Sequence, residues 1–180
     1  MIDEKKLFQD QSVIVQMISS GAPLKKILSF IVASIEKYCN PIKTYSSIML
    51  YNPQSRKLEE TVSVSLPQLF VRTIEPVEVG PYEGSCGTAA YLKRPVIVSD
   101  IENDVLWNKY RNSALQFGLH SCWSIPILSS DKQLLGTLAL YYKEVYEPDE
   151  KILSALEFYN RLAVIAIECA KVNRCLSKAY

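Results

Sequence analysis

Three groups of residues in this sequence carry side chains able to do chemistry. The first is the turn Gly84-Ser85-Cys86-Gly87, set just before a segment, 88–92, that reads as a short helix. Its glycines allow close backbone approach to an anion, and a helix start offers free N–H groups. A thiol there loses its proton more readily, so Cys86 is a candidate redox thiol. The spacing fits neither the P-loop nor the dinucleotide fingerprint, and the glycines serve equally as a tight strand-to-helix turn. The second group is His120 and Cys122, two apart at a strand entrance and therefore on one face. They make half of a metal site, or a histidine that is merely a satisfied polar residue. The third is Trp107 and Tyr110, i and i+3 on one helix face, with Lys109 and Arg111 alongside and Trp123 further on. Such rings stack on a purine, heme-like or aromatic ligand while the cations meet an anionic group. The same rings equally fill a core of their own.

Composition narrows these options. A single histidine makes any His-dependent relay rest on His120 alone and leaves no zinc set, so no metal is expected. The five cysteines, Cys39, Cys86, Cys122, Cys169 and Cys175, are odd in number and lack paired short spacings. Lys plus Arg 20 against Asp plus Glu 19 gives a net charge of +1, too little field to hold a nucleic acid. At 180 residues, 48% hydrophobic and 22% charged, the chain reads as one globular domain spanning 1–180. The mixed-charge start, Met1 to Lys6, is unlike a signal peptide. The aliphatic run from Leu162 to Ile167 is far short of the ~20 residues of a membrane span. A cytoplasmic protein with reduced thiols and no membrane partner is the expectation.

The elements that must position these groups follow from periodicity. Leu7, Val13, Ile14, Met17 and Ile18 fall at helical spacing within an N-terminal helix, 1–19. A second helix opens at Pro23 with Leu24, Ile27, Leu28, Ile31, Ile35 and Tyr38 on one face, and Asn40-Pro41 ends it. Residues 44–51 and 58–64 form a hairpin around Asn52-Pro53-Gln54-Ser55, and 121–128 and 134–142 form another. Between them lie a short helix after Pro67, short strands at 77–79 and 95–99, and a helix from Val105 to about Phe117, capped at Asn103 or Asp104 and stopped by Gly118. A long helix runs from Pro148 to the end, 148–180. This order describes an α+β fold around one antiparallel sheet.

Five segments in this order resemble the GAF domain, a small-molecule sensor module of bacterial signalling proteins. They are Ser20-Gly21-Ala22-Pro23-Leu24, Gly84-Ser85-Cys86-Gly87-Thr88-Ala89-Ala90, Pro95-Val96-Ile97-Val98-Ser99-Asp100-Ile101, Gly118 to Ile127, and Gly136-Thr137-Leu138-Ala139-Leu140-Tyr141-Tyr142. The resemblance covers about residues 20–170. It implies a six-stranded, PAS-related antiparallel sheet, with terminal helices on one face and a ligand pocket roofed by the middle segments on the other. Trp107, Tyr110, Arg111, His120, Cys122 and Trp123 become the candidate ligand-binding residues, for an unknown small molecule. Phytochrome-like members attach a bilin to cysteine, but their Cys-His dipeptide is absent here. Cyclic-nucleotide-binding members carry an acidic pair after the Phe117 position, where this chain has Ser121 and Cys122. Free methionine-(R)-sulfoxide reductases share the fold and a cysteine in a Gly-x-Cys-Gly turn, which makes thiol catalysis by Cys86 and Cys122 the enzyme alternative. Their further cysteines belong in a stretch, 100–121, that holds none here.

The last helix carries two apolar stripes. Ile152, Leu156, Tyr159, Ala163, Ala166 and Ala170 suit packing on the sheet. Phe158, Leu162, Ile165, Cys169, Val172 and Leu176 alternate spacings of four and three, the seam of a helix bundle, and point to a homodimer. Without a stop signal, the helix is expected either to end frayed or to continue into an output domain on a longer parent chain. A non-catalytic sensory module is the functional expectation, relaying ligand binding to an output such as a histidine kinase or a cyclic-di-GMP enzyme. A ligand-free dimerisation domain is the structural alternative.

Overall fold

Alternating side chains on three long strands, each with both faces buried, set the architecture. The structure, a computed structural model, describes residues 4–177 apart from the side chains of 174, 176 and 177. In chain order the elements are α1 Glu4–Ser19, α2 Leu24–Tyr38, β1 Thr44–Asn52, β2 Lys57–Ser63, α3 Gln68–Ile74, β3 Val77–Glu78, α4 Gly84–Leu92 and β4 Val96–Val98. A 3₁₀ turn, Val105–Trp107, precedes α5 Arg111–Gln116, β5 Ser121–Leu128, β6 Leu134–Tyr142 and α6 Glu150–Ser177. The strands form one sheet in the order β3-β2-β1-β6-β5-β4. Every neighbouring pair is antiparallel. This is the expected α+β sheet.

Side chains two apart share a face, so each central strand feeds two cores. Ile48 of β1, Trp123, Ile125 and Ile127 of β5, and Leu138, Leu140 and Tyr142 of β6 meet the layer of α1, α2 and α6. Tyr45 and Met49 of β1, Cys122 of β5, and Ala139 and Tyr141 of β6 meet the other cover, built from α3, α4, the 3₁₀ turn and α5. On the helical side, α2 buries Ile27, Leu28, Ile31, Val32 and Ile35 almost completely. Each contributes about 1.5–3 kcal/mol of transfer free energy.

Two boundaries and one helix face differ from the periodicity reading. The Gly84–Gly87 turn is itself the first turn of α4, so that helix starts four residues before Thr88. Gly84 permits this start with φ +63, a conformation that side chains with a β-carbon adopt at a cost. The expected helix from Val105 to Phe117 is a 3₁₀ turn followed by a separate short helix, because Asp104 caps only the first turn, accepting from the Leu106 N–H at 2.8 Å. On α6, Leu162 is buried in the domain's own core instead of facing outward. Phe158 and Cys169 are half-buried, Ile165 and Val172 are exposed, and the Leu176 side chain lies outside the described residues.

Gly87 sets how closely α4 approaches the strand edge. A β-carbon there would run into the Glu78 carbonyl oxygen and the Glu83 side chain. Backbone cannot yield as a side-chain tip does. Gly87→Ala is therefore expected to destabilise the fold by roughly 1–3 kcal/mol, as overpacking does, read as a lowered midpoint in urea unfolding with an unchanged slope.

Candidate functional site

Between α4 and the sheet a chain of hydrogen bonds runs through buried polar groups. The Trp107 indole Nε1–H donates to Ser85 Oγ at 3.0 Å, and the Ser85 hydroxyl donates to the Cys122 carbonyl at 2.9 Å. The 3₁₀ turn, α4 and β5 are thereby joined through one serine. Tyr110 packs edge-on against Trp107, ring centroids 6.5 Å apart at 77°. Its hydroxyl donates to Glu83 Oε2 at 2.5 Å, and Lys109 Nζ donates to the same oxygen at 2.8 Å. Glu83, the residue before α4, thus binds the aromatic segment to the helix start. Burial, then the Glu83 hydrogen bond, pushes the Tyr110 phenol up to about 12. Lys109 is also raised, chiefly by Glu83.

Behind this latch lie two thiols and a phenol. Cys86 Sγ and Tyr141 Oη are 3.7 Å apart. Cys122, fully buried, is the register partner of Tyr141 on the roof-side face of the sheet, and so shares the core around Cys86. The Cys122 thiol, with the hydroxyls of Ser124, Tyr141 and Thr137, lowers the Cys86 pKa from its ordinary value against the effect of burial. Burial holds Cys122 and Tyr141 well above their ordinary values. Ser47, Ser124 and Thr137 are also buried here without a well-formed hydrogen bond, yet Ser124 and Thr137 are close enough to Cys86 to polarise it.

The site is narrow. A cavity of about 20 Å³ touches Glu83, Gly84, Cys86, Trp107, Tyr110 and Tyr141. Phe70 fills the neighbouring space, stacked edge-on against Tyr141 and Phe117, each at 5.9 Å. Larger hollows, about 280 and 500 Å³, lie at the β1–β2 hairpin end of α2 and touch none of the expected residues.

The structure brings together Trp107, Tyr110, Cys122 and Cys86, and separates the rest. Trp123 points to the opposite face, because it is adjacent to Cys122 on a strand. It packs on Tyr142 at 4.4 Å and stacks on Tyr146 at 5.2 Å under the helical layer. Arg111 is used internally, donating to the Asp104 carbonyl at 2.9 Å, Asn108 Oδ1 at 2.7 Å and the Ile101 carbonyl at 3.3 Å. It ties the 3₁₀ turn to α5 and is not aimed into the cavity. His120 is half-buried just before β5, with its backbone paired to Ile101 and Tyr142. Among the described residues no three His, Cys, Asp or Glu side chains converge on a metal position. Sequence reading missed Glu83, Ser85 and Tyr141. Alternation from Cys122 finds Tyr141, its register partner on β6. The Glu83 and Ser85 contacts join segments 22–27 residues apart and leave no local signal.

The raised Tyr110 phenol makes part of the stability pH-dependent. The folded protein holds that proton between about 10 and about 12 while the unfolded chain releases it, so stability present below pH 10 is lost as pH rises through 12. Tyr110→Phe is expected to flatten this slope. Urea midpoints measured from pH 9 to 11.5 check it, and parallel slopes for both proteins refute the latch.

Comparisons agree with this architecture. The structure superposes on the GAF domain of a phosphoenolpyruvate-protein phosphotransferase from Coxiella burnetii with a TM-score of 0.72 at 17% identity, covering 98% of this chain and 99% of that one. It also superposes on the free methionine-R-sulfoxide reductase of Neisseria meningitidis with a TM-score of 0.71 at 17% identity, covering 93% and 89%. In sequence it is 31% identical over 179 residues to a methyl sulfide methyltransferase-associated sensor of Methanosarcina acetivorans. That match takes in 98% of this chain and spans 18% of that relative's length. A family model of the GAF domain matches residues 21–168. The chain therefore belongs to the GAF domain family.

Proposed function

We propose that this domain is a non-catalytic sensory module of the kind used in bacterial signal transduction. It binds a small molecule under the roof formed by α4, the 3₁₀ turn and α5, and relays occupancy through α1 and α6. Its output is a domain on a longer parent chain or a partner such as a histidine kinase or cyclic-di-GMP enzyme, in the cytoplasm. The observation that carries this reading is the sheet, whose central strands are packed on both faces. Cys122 faces the roof and Trp123, the next residue, faces the helices. The sensor relative supports the same assignment. Among the described residues no helix is long and apolar enough to cross a membrane.

Signalling through the helices needs a second copy. Phe8 and Val15 on α1 and Ile165 and Val172 on α6 are 70%, 47%, 45% and 58% exposed, an apolar surface on the two helices that lie side by side. We assign it to a homodimer. Leu162 is unsuited as a probe because it is buried in the domain core. Ile165→Glu with Val172→Glu is expected to convert a dimer to a monomer in sedimentation velocity with an unchanged circular dichroism spectrum. A monomeric wild type overturns the assignment.

A thermal-shift screen against nucleotides, amino acids, tetrapyrroles and metals tests the ligand. A compound at 100-fold its Kd stabilises by about 2.7 kcal/mol, a shift of roughly 5–10 °C for a domain of this size. The shift should vanish in Trp107→Ala. No shift with any class leaves the dimerisation role alone standing. The juxtaposition of Cys86 and Cys122 keeps one enzyme reading in view, reduction of free methionine-(R)-sulfoxide. Turnover lost in both serine variants would establish it.

A further inference from the structure

A sensing role that depends on shape leaves two buried thiols without a task. Cys86 on α4 and Cys122 on β5 are both free thiols in the roof-side core. The Ser85 hydrogen bond to the Cys122 carbonyl holds the residue beside Cys86 directly against Cys122. Tyr141 places its hydroxyl 3.7 Å from Cys86 Sγ. The 20 Å³ cavity touches both Cys86 and Tyr141 and extends to Glu83, which is half-exposed. Its size is that of about one water, so while the roof stays closed a guest must be tiny and able to hydrogen-bond. The hydroxyls of Ser124 and Thr137, fully buried and without a well-formed hydrogen bond, lie near Cys86. A methionine side chain or a tripeptide thiol is far larger than this space.

We propose that Cys86 and Cys122 are an oxidation site for hydrogen peroxide, closing to a disulfide that links α4 to β5. Cys86 is the attacking sulfur, because it lines the cavity and lies 3.7 Å from the Tyr141 hydroxyl, whereas Cys122 lies outside that lining. Its proton passes to the Tyr141 hydroxyl, which hands its own onward. The sulfur bonds to one peroxide oxygen as the O–O bond breaks, losing two electrons and becoming a sulfenic acid. The departing hydroxide takes the relayed proton and leaves as water. The Cys122 sulfur then attacks the Cys86 sulfur, the S–O bond breaks, and the hydroxide leaves with the Cys122 proton as a second water. Two thiols and one peroxide give one disulfide and two waters. The cross-link changes the packing at Ser85, the point through which Trp107 reaches the sheet. This chemistry goes beyond the sensing role and holds whether or not an organic ligand binds.

The test is peptide mapping of the folded full chain after stoichiometric hydrogen peroxide, with Cys169→Ser and Cys175→Ser removing the two thiols outside the buried core. The expected result is loss of two hydrogens from the intact mass, a Cys86–Cys122 cross-linked peptide, and reversal by dithiothreitol. Cys122→Ser should leave a dimedone-reactive sulfenic acid on Cys86, while Cys86→Ser should leave Cys122 unmodified. The mapping uses native cysteines at both positions, so it stands if either variant fails to fold. Unmodified Cys86 and Cys122 in folded protein, or a cross-link made instead with Cys39, overturns the proposal. Cross-linking by free methionine-(R)-sulfoxide at an equal rate also overturns it, in favour of the reductase.

Discussion

A sheet whose central strands bury both faces has no side that solvent can keep, and this constraint governs the rest of the molecule. Antiparallel sheets commonly leave one face wet. Here β1, β6 and β5 carry apolar or small side chains on both, so two separate covers are required. The helical cover is conventional: α1, α2 and α6 present long apolar faces, and Tyr38 of α2 packs edge-on against Tyr159 of α6 at 6.5 Å. The other cover has no long helix. It is assembled from segments of three to nine residues that cannot bury enough surface individually. They are held to one another and to the sheet by the Trp107–Ser85–Cys122 and Tyr110–Glu83–Lys109 hydrogen bonds.

The two covers therefore differ in kind. Stability on the helical side comes from area, which is indifferent to small displacements. The roof side also has an apolar core, but its short segments are joined by a few directional contacts, and loss of one leaves a buried donor or acceptor unpaired at about 1–3 kcal/mol. Local opening is drawn to regions of that second kind. An opening that separates Tyr110 from Glu83 releases the aromatic segment from α4 and exposes Cys86 and Tyr141 together.

The legible features were those with a local period. The 3.6-residue pattern of α2, the acidic and proline start of α6 and the two hairpins were readable because each is written within a dozen residues. The start of α4 was not: Gly84-Ser85-Cys86-Gly87 has the composition of a turn, and only tertiary packing under Trp107 makes it helical. The break after Trp107 escaped notice for a related reason. Val105 to Phe117 has helical spacing, but Arg111 binds the Asp104 and Ile101 carbonyls and turns the chain between two short pieces. Trp123 was misplaced although period two was available, since grouping it with Cys122 put neighbours in a strand on one face. Leu162 fits a bundle seam by spacing alone. Which seam faces the domain and which faces outward is decided by where α1 lies, and sequence does not state that.

β5 is the element on which both sides converge. Its residue 122 touches Cys86 and accepts from Ser85, and its residue 123 stacks on Tyr142 and Tyr146 under α6. The two residues are adjacent on one strand, so β5 carries a side chain packed into each cover. Close packing around the Trp123 ring leaves discrete rearrangements as the cheap responses. On the far side, the absence of a β-carbon at Gly87 lets α4 approach the Glu78 carbonyl closely. A disulfide at Cys86 and a ligand beside Trp107 would push on β5 from the same face.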